Sequence, residues 1–240
     1  MRLLGLGGLS VTMPLKEEVA SAVDECSTAA AALGAVNCVV PVEGRPGRLR
    51  GESTDGEGFV RSLLDAGFDP AGARCLVLGA GGAARAVAVA RSGHGAARVA
   101  VANRTAERAR RAAELAGSVG AVVGPGEVGD EVAGADLVVN ATSVGMGGDG
   151  TPLATDALGP AHVVADLVYQ PVRTPLLEAA AAAGCRTVDG VGMLVHQAAL
   201  AFELWTGMSA PLPAMAAAAE SHLDAQVSPV QPVEKIAPTP

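Results

Sequence analysis

The sequence predicts an α/β protein: a doubly wound parallel sheet joined to a smaller, split α/β unit. Three observations predict it. From residue 74 to 188, apolar runs alternate with Ala-rich, helix-like segments, the alternation that builds parallel sheets. The first run, Cys75 to Leu78, feeds straight into Gly79-Ala80-Gly81-Gly82-Ala83-Ala84, a strand–turn–helix with small residues at G-x-G-x-x-A spacing. A shorter strand–helix pattern over residues 9–54 precedes this array, and helical sequence follows it.

Each element has its own signal. Residues 9–13 read as a short strand ended by Pro14, which suits the first turn of a helix predicted from Leu15 to Leu33. Ala35 to Val42 reads as a strand, Gly44 to Gly47 as a turn, and Leu49 to Glu52 as the return strand of a hairpin. Thr54-Asp55-Gly56 opens a helix running through Ala66, with Thr54 or Asp55 as its cap. Strands are predicted at 75–78, 98–102, 136–140, 162–167 and 186–188, with helices between them. Helices follow at 191–207 and 211–222, and residues 224–240, proline-bearing and poor in packing side chains, read as a disordered tail. The expected organisation is a first unit over 1–54, a nucleotide-binding Rossmann-type unit over 55–189, and helices over 190–223 that return to the first unit.

Composition narrows the function. Half the residues are apolar but only 2% are aromatic, so the core must be built from Ala, Val and Leu. A net charge of −8 speaks against a nucleic-acid or anionic-membrane surface. No apolar run approaches the roughly 18 residues of a membrane span. Met1 to Leu6 is broken by glycine and no A-x-A site follows, which argues against a signal peptide. Cys26, Cys38, Cys75 and Cys185 lack C-x-x-C spacing and read as reduced thiols of a cytoplasmic protein. The four histidines, His94, His162, His196 and His222, are scattered, and no metal is expected.

The glycine turn carries the first chemistry. Gly79 permits the tight turn, Gly81 lets backbone N–H groups approach a pyrophosphate at the helix start, and Ala84 lets that helix pack close. Next, the strand over 98–102 ends at Asn103-Arg104-Thr105, with Arg108 one turn on. An NAD site usually places Asp or Glu about 20 residues past the glycines to hold the ribose 2′-OH. Here that place offers an amide, a guanidinium and a hydroxyl. Arg104 and Arg108 suit a 2′-phosphate, so NADP is expected rather than NAD. The competing reading is a solvated basic helix face that also takes in Arg110 and Arg111.

Further motifs lie outside the glycine turn. In Ser10-Val11-Thr12-Met13-Pro14-Leu15-Lys16, Lys16 falls near a helix N-terminus, the unfavourable end for a cation and a placement that suits a group giving up a proton. Gly34-Ala35-Val36-Asn37 and Ser53-Thr54-Asp55-Gly56-Glu57-Gly58 follow. Asn140-Ala141-Thr142-Ser143-Val144-Gly145-Met146 is a polar loop at the carboxyl end of a strand, where open α/β sheets bind ligands. Asp166-Leu167-Val168-Tyr169-Gln170-Pro171 and Asp189-Gly190-Val191-Gly192-Met193-Leu194-Val195-His196-Gln197-Ala198 complete the set.

Together and in this order these motifs resemble the shikimate dehydrogenase family, from about Gly7 to Trp205. The resemblance implies an NADP-dependent enzyme that reduces 3-dehydroshikimate to shikimate in aromatic amino-acid (chorismate) biosynthesis. It implies Lys16 as catalytic acid/base with Asp55 as its partner. Thr12, Asn37, Tyr169 and Gln197 would line the substrate site. Gly79, Ala80, Gly81, Gly82 and Ala83 would cradle the pyrophosphate, Asn103, Arg104, Thr105 and Arg108 the 2′-phosphate, and Thr142, Leu167 and Gly190 would surround the nicotinamide. The implied partner is a small molecule, with neither nucleic acid nor membrane, and the implied assembly a monomer or homodimer. Two departures stand out. Glu52-Ser53 precede the TDG motif where the family shows Asp-Asn. Family members also begin with a longer stretch whose S-x-S loop holds the substrate carboxylate, while Met1 to Gly5 reads as the tail of an internal helix; the first unit is therefore expected to be truncated. The alternatives are quinate as substrate, and a non-catalytic NADP-binding relative.

Overall fold

The computed structural model describes residues 1, 4–12, 14–148 and 150–227. Its first part holds β1 (Leu9–Ser10), α1 (Lys16–Ala22), β2 (Glu25–Cys26), α2 (Thr28–Leu33), β3 (Cys38–Pro41) and β4 (Leu49–Glu52). The four strands form a mixed sheet in the order β1-β3-β4-β2. The expected hairpin is present: β3 and β4 pair antiparallel, with Cys38 opposite Glu52 and Pro41 opposite Leu49.

Three expectations for this part are corrected. The single helix over 15–33 is two helices split by β2, because Ser27 starts a new one: its Oγ accepts from Ala30 N at 3.3 Å. Glu25 and Cys26 pair instead with Arg50 and Gly51 of β4. The strand over 9–13 stops at Ser10; Leu15 N donates to Thr12 O at 3.0 Å and closes a turn. Met13 lies outside the described residues. Pro14 belongs to that turn, ahead of α1, whose cap residue is Leu15.

The second part holds α3 (Asp55–Asp65), β5 (Arg74–Leu78), α4 (Gly82–Gly93), β6 (Arg98–Ala102), α5 (Ala106–Glu114), β7 (Gly120–Val123), α6 (Val128–Ala133), β8 (Leu137–Asn140), β9 (Val163–Asp166), α7 (Pro175–Ala182), β10 (Arg186–Val188), α8 (Gly190–Thr206) and α9 (Leu212–Val227). Six strands form one sheet in the order β10-β9-β8-β5-β6-β7, all parallel. This is the doubly wound order, with the switch point between β5 and β8. Helix α9 runs through Val227, into residues expected to belong to the tail, because no glycine or proline lies between Pro213 in its first turn and Pro229; residues 228–240 lie outside the described residues. Strand β7 and helix α6 were not expected. The four residues Gly120–Val123, three of them incompletely buried at the sheet edge, give too weak an apolar signal.

Alternation along the strands builds a core on each face of the six-stranded sheet. On one face Val77, Val99, Val101, Leu137 and Val139 meet Phe59 and Leu63 of α3, Val87 of α4 and Ala109 and Ala112 of α5. On the other, Leu76, Ala100, Val138 and Val164 meet Val132 of α6 and Leu176 and Leu177 of α7. Small side chains on the helices do the work that aromatics do elsewhere: Ala84, Ala88, Ala109 and Ala112 are all fully buried. Among the described residues no helix is long and apolar enough to cross a membrane, and no cluster of side chains could hold a metal ion.

Candidate active site

The glycine turn is built to receive an anion. Gly79 has φ +108°, and a Cβ there would lie 2.8 Å from Ala141 O, so neither the conformation nor the space admits a side chain. Gly81 caps α4 without a side-chain hydrogen bond, and Cβ atoms at Gly81 or Gly82 would meet no protein atom within 4 Å. Open space therefore lies beside the start of α4, the positive end of a twelve-residue helix. Ala84, fully buried, packs the helix on the sheet as its motif position suggests. These features fit a dinucleotide pyrophosphate, with Ala80 and Ala83 flanking it.

After β6, Asn103 Nδ2 donates to Thr105 O at 3.0 Å and shapes the turn. The basic face predicted for α5 splits in two. Arg110 and Arg111 are both engaged by Glu107, Arg111 Nε at 3.2 Å from Oε1. Arg104 and Arg108 are exposed and make no ion pair among the described residues, which leaves their guanidinium groups available.

The second cluster assembles from four parts of the chain. Lys16, the first residue of α1, sets its Nζ 2.6 Å from Asp55 Oδ2 at the start of α3. Asn37, 4% exposed, donates from Nδ2 to Asp55 Oδ1 and to Thr54 Oγ1, both at 2.8 Å, and lies 3.4 Å from Gln197 Oε1. Thr54 N donates back to Asn37 Oδ1 at 2.8 Å, which fixes the amide's orientation. Neither Thr54 nor Asp55 caps α3 through its side chain, contrary to the sequence reading, because Asn37 and Lys16 occupy their oxygens. Two close approaches hold α3 in place. A Cβ at Gly56 would lie 2.6 Å from Ala86 O of α4, and one at Gly58 would lie 2.7 Å from Gln197 N of α8.

A cavity of about 260 Å³ joins the two sites: Lys16, Asn37, Ser53 and Asp55 line one wall, and Gly82, Arg85 and Ala86 of α4 line the other. A second cavity of about 310 Å³, around Asp65 and His196, touches none of these residues. Of the remaining expected substrate residues, Thr12 lies on the turn leading to Lys16 and Tyr169 on the loop after β9; both are exposed and make no hydrogen bond to the cluster.

The third group sits at the carboxyl ends of β8 and β9. Thr142 donates from N and Oγ1 to Asn140 Oδ1, at 3.0 and 2.7 Å. Asn140 Nδ2 donates to Asp166 Oδ1 at 2.8 Å, and Thr174 Oγ1 donates to Asp166 Oδ2 at 2.7 Å. Burial pushes the Asp166 carboxyl above its ordinary range, and the hydrogen bonds from Thr174, Val168 and Asn140 pull it only part of the way back. Gly190 opens α8 in close contact with the preceding loop; a Cβ there would lie 2.7 Å from Leu167 O. Thr142, Leu167 and Gly190 are thus gathered around one corner. Sequence reasoning gave Thr54 only a capping role and gave none to Asn140, Asp166 or Thr174. The available signal was an amide and a carboxylate each closing an apolar parallel strand, where full burial forces them to find partners.

Hydride transfer to or from a carbinol carbon needs a dinucleotide and a proton carrier within reach of each other, and this cleft has a glycine-led helix start on one wall and an amine on the other. The chain is a dinucleotide-dependent oxidoreductase acting on a CH–OH group. Residues 1–39 match the family described as shikimate dehydrogenase substrate binding domain, 63–146 shikimate / quinate 5-dehydrogenase, and 190–220 shikimate 5′-dehydrogenase C-terminal domain. The NADP(+) shikimate dehydrogenase of Moorella thermoacetica is 47% identical over 226 residues, covering 90% of this chain and 75% of the relative. Shikimate 5-dehydrogenase from Thermus thermophilus, solved with NADP(H) and shikimate, superposes with a TM-score of 0.82 at 39% identity, covering 90% of this chain and 79% of the other. Quinate dehydrogenase from Corynebacterium glutamicum, solved with NAD, gives a TM-score of 0.84 at 38% identity, covering 92% and 79%. The chain belongs to the shikimate dehydrogenase family.

Proposed function

We propose that the chain catalyses the NADPH-dependent reduction of 3-dehydroshikimate to shikimate, a step of aromatic amino-acid biosynthesis, and its reverse. The observation that carries the reading is the Lys16–Asp55 pair, 2.6 Å apart on the wall of a cavity that also reaches the start of α4. Bound NADPH supplies the hydride. As the substrate carbonyl oxygen gains negative charge, Lys16 Nζ gives it a proton. Asp55 holds the ammonium in place and, through its second oxygen and Asn37, connects it to the side chains facing the substrate hydroxyls. Asn37, Gln197, Thr12 and Tyr169 take those hydroxyls. Gly79 to Ala83 hold the pyrophosphate, Asn103, Arg104, Thr105 and Arg108 the 2′-phosphate, and Thr142, Leu167 and Gly190 flank the nicotinamide. In this reading residues 1–54 and 190–223 serve the substrate and 55–189 the nucleotide. The four free cysteines suit a reducing, cytoplasmic setting.

The test is the change in NADPH absorbance when the purified chain meets shikimate or quinate with NADP+ or NAD+. Shikimate with NADP+ should give the highest kcat/KM. The likeness to a quinate dehydrogenase makes quinate the second reading. A preference for quinate or for NAD+ would replace the assignment, and no turnover with any pair would remove it.

A further inference from the structure

Asp166 closes β9 fully buried, and the function proposed above gives it no task. Three donors converge on its two oxygens. Thr174 Oγ1, from the cap of α7, lies 2.7 Å from Oδ2; Asn140 Nδ2, from the end of β8, lies 2.8 Å from Oδ1; and Val168 N, from the loop beyond β9, lies 3.0 Å from Oδ1. Such a set favours the ionised carboxylate against the burial that pushes its pKa up. None of the three donors is charged, and no Lys, Arg or His pairs with Asp166 among the described residues, so its negative charge is solvated by dipoles rather than neutralised.

The sheet order places this charge. The glycine turn follows β5 and Arg104 follows β6, so the phosphates and the adenosine half of a dinucleotide belong on that side of the switch point. The other half must then extend over the carboxyl ends of β8 and β9, where Thr142 is tied through Asn140 to Asp166 and Leu167 is the next residue in the chain. Oxidised nicotinamide carries a positive charge and reduced nicotinamide carries none.

We propose that Asp166 sets the charge balance of the nicotinamide subsite, its buried carboxylate favouring the cationic oxidised ring over the neutral reduced one. This rests on the NADP(H) reading above. In the reduction, a C–H bond of the reduced ring breaks and its hydrogen leaves with both electrons to form a C–H bond at the substrate carbonyl carbon. The carbonyl oxygen takes a proton from Lys16, and the ring is left positive. A fixed negative charge stabilises that ring as its charge develops. Asp166 touches neither ring nor substrate and is a positioning residue, acting through its field and through the two loops it ties together.

Calorimetric titration of the full chain with NADP+ and, separately, with NADPH tests this. The near-isosteric Asp166→Asn should weaken NADP+ binding about fivefold or more and move NADPH binding by less than about twofold. A structural role alone would weaken both equally; that result, or an unmoved ratio, overturns the proposal. Should Asp166→Asn fail to fold, Asp166→Ser also removes the charge and must lower the NADP+ to NADPH affinity ratio in the same direction; an unchanged ratio there also overturns it. Wild-type chain that binds neither cofactor overturns this inference together with the proposed function. Wild-type chain that binds both, with a ratio indifferent to either substitution, overturns this inference alone.

Discussion

Lys16 and Asp55 stand 39 positions apart in the chain and 2.6 Å apart in space, each the first residue of its helix. The helix start favours Asp55 and disfavours Lys16. The carboxylate therefore offsets the unfavourable field at the ammonium and holds a proton donor that its own helix would repel. Both side chains keep some contact with solvent, 23% and 14% exposed, so the pair can exchange protons with water.

We predict that Lys16→Ala lowers kcat by about 10²–10⁴. NADPH affinity should stay unchanged, because α1 contributes nothing to the glycine turn. Steady-state kinetics paired with NADPH titration checks both halves. A variant that keeps most of its kcat would mean that the proton comes from another group.

Cofactor choice should reside in Arg104 and Arg108, the two arginines of their region that Glu107 does not engage. Arg104→Ala should weaken NADPH about tenfold, the worth of one charge-assisted contact, and leave NADH binding as it was. Equal losses for the two cofactors would count against a 2′-phosphate contact.

Two glycines should respond in opposite ways to one added methyl. Gly56→Ala forces a Cβ to 2.6 Å from Ala86 O and should cost about 1–3 kcal/mol, seen as a lower melting temperature. Gly81→Ala meets no protein atom, so the melting temperature should hold while NADPH binding weakens, because the methyl takes the place of a phosphate oxygen. If Gly81→Ala binds NADPH normally, the pyrophosphate does not lie there.

Thiol chemistry should divide the four cysteines. Burial pushes Cys75 up to about 12 and Cys38 up to about 11. At pH 8 each is then a thiolate less than about once in a thousand molecules. Ellman's reagent should titrate at most Cys26 and Cys185 in the native protein and all four after denaturation. Fast labelling of Cys75 in the folded chain would contradict the packing around it.

The sequence made most of the six-stranded sheet legible, because a strand buried on both faces is a continuous apolar run and a run ending in glycines marks its own boundary. Strand β7 escaped because an edge strand needs less burial and shows less. The break between α1 and α2 escaped because six alanines and a leucine look helical on the two sides of Ser27, and only the pairing of Cys26 with Gly51 shows where the chain leaves the helix. Motif order singled out Lys16, Asp55, Asn37 and Gln197, which the fold brings together. It carried no sign that Asn37 would aim one amide at Thr54, Asp55 and Gln197 together, since that geometry depends on α8 closing over α3 from some 140 residues away. Asn140 and Asp166 stood inside motifs already singled out, but their pairing is fixed by the register of β8 against β9, which places the two residues side by side.

The contact between Gly56 and Ala86 makes the cleft's adaptability one-sided. With α3 pressed on the backbone of α4, the carboxylate wall moves only when the nucleotide-binding helix moves with it. The lysine end of the same wall is held more loosely: α1 buries none of its residues, and the Glu17–Arg85 ion pair that joins it to α4 is exposed on the glutamate side. For anyone reshaping the cleft, the workable ground is the turn and short helix around Lys16, where a side chain can be exchanged without disturbing the packing of α3 on α4.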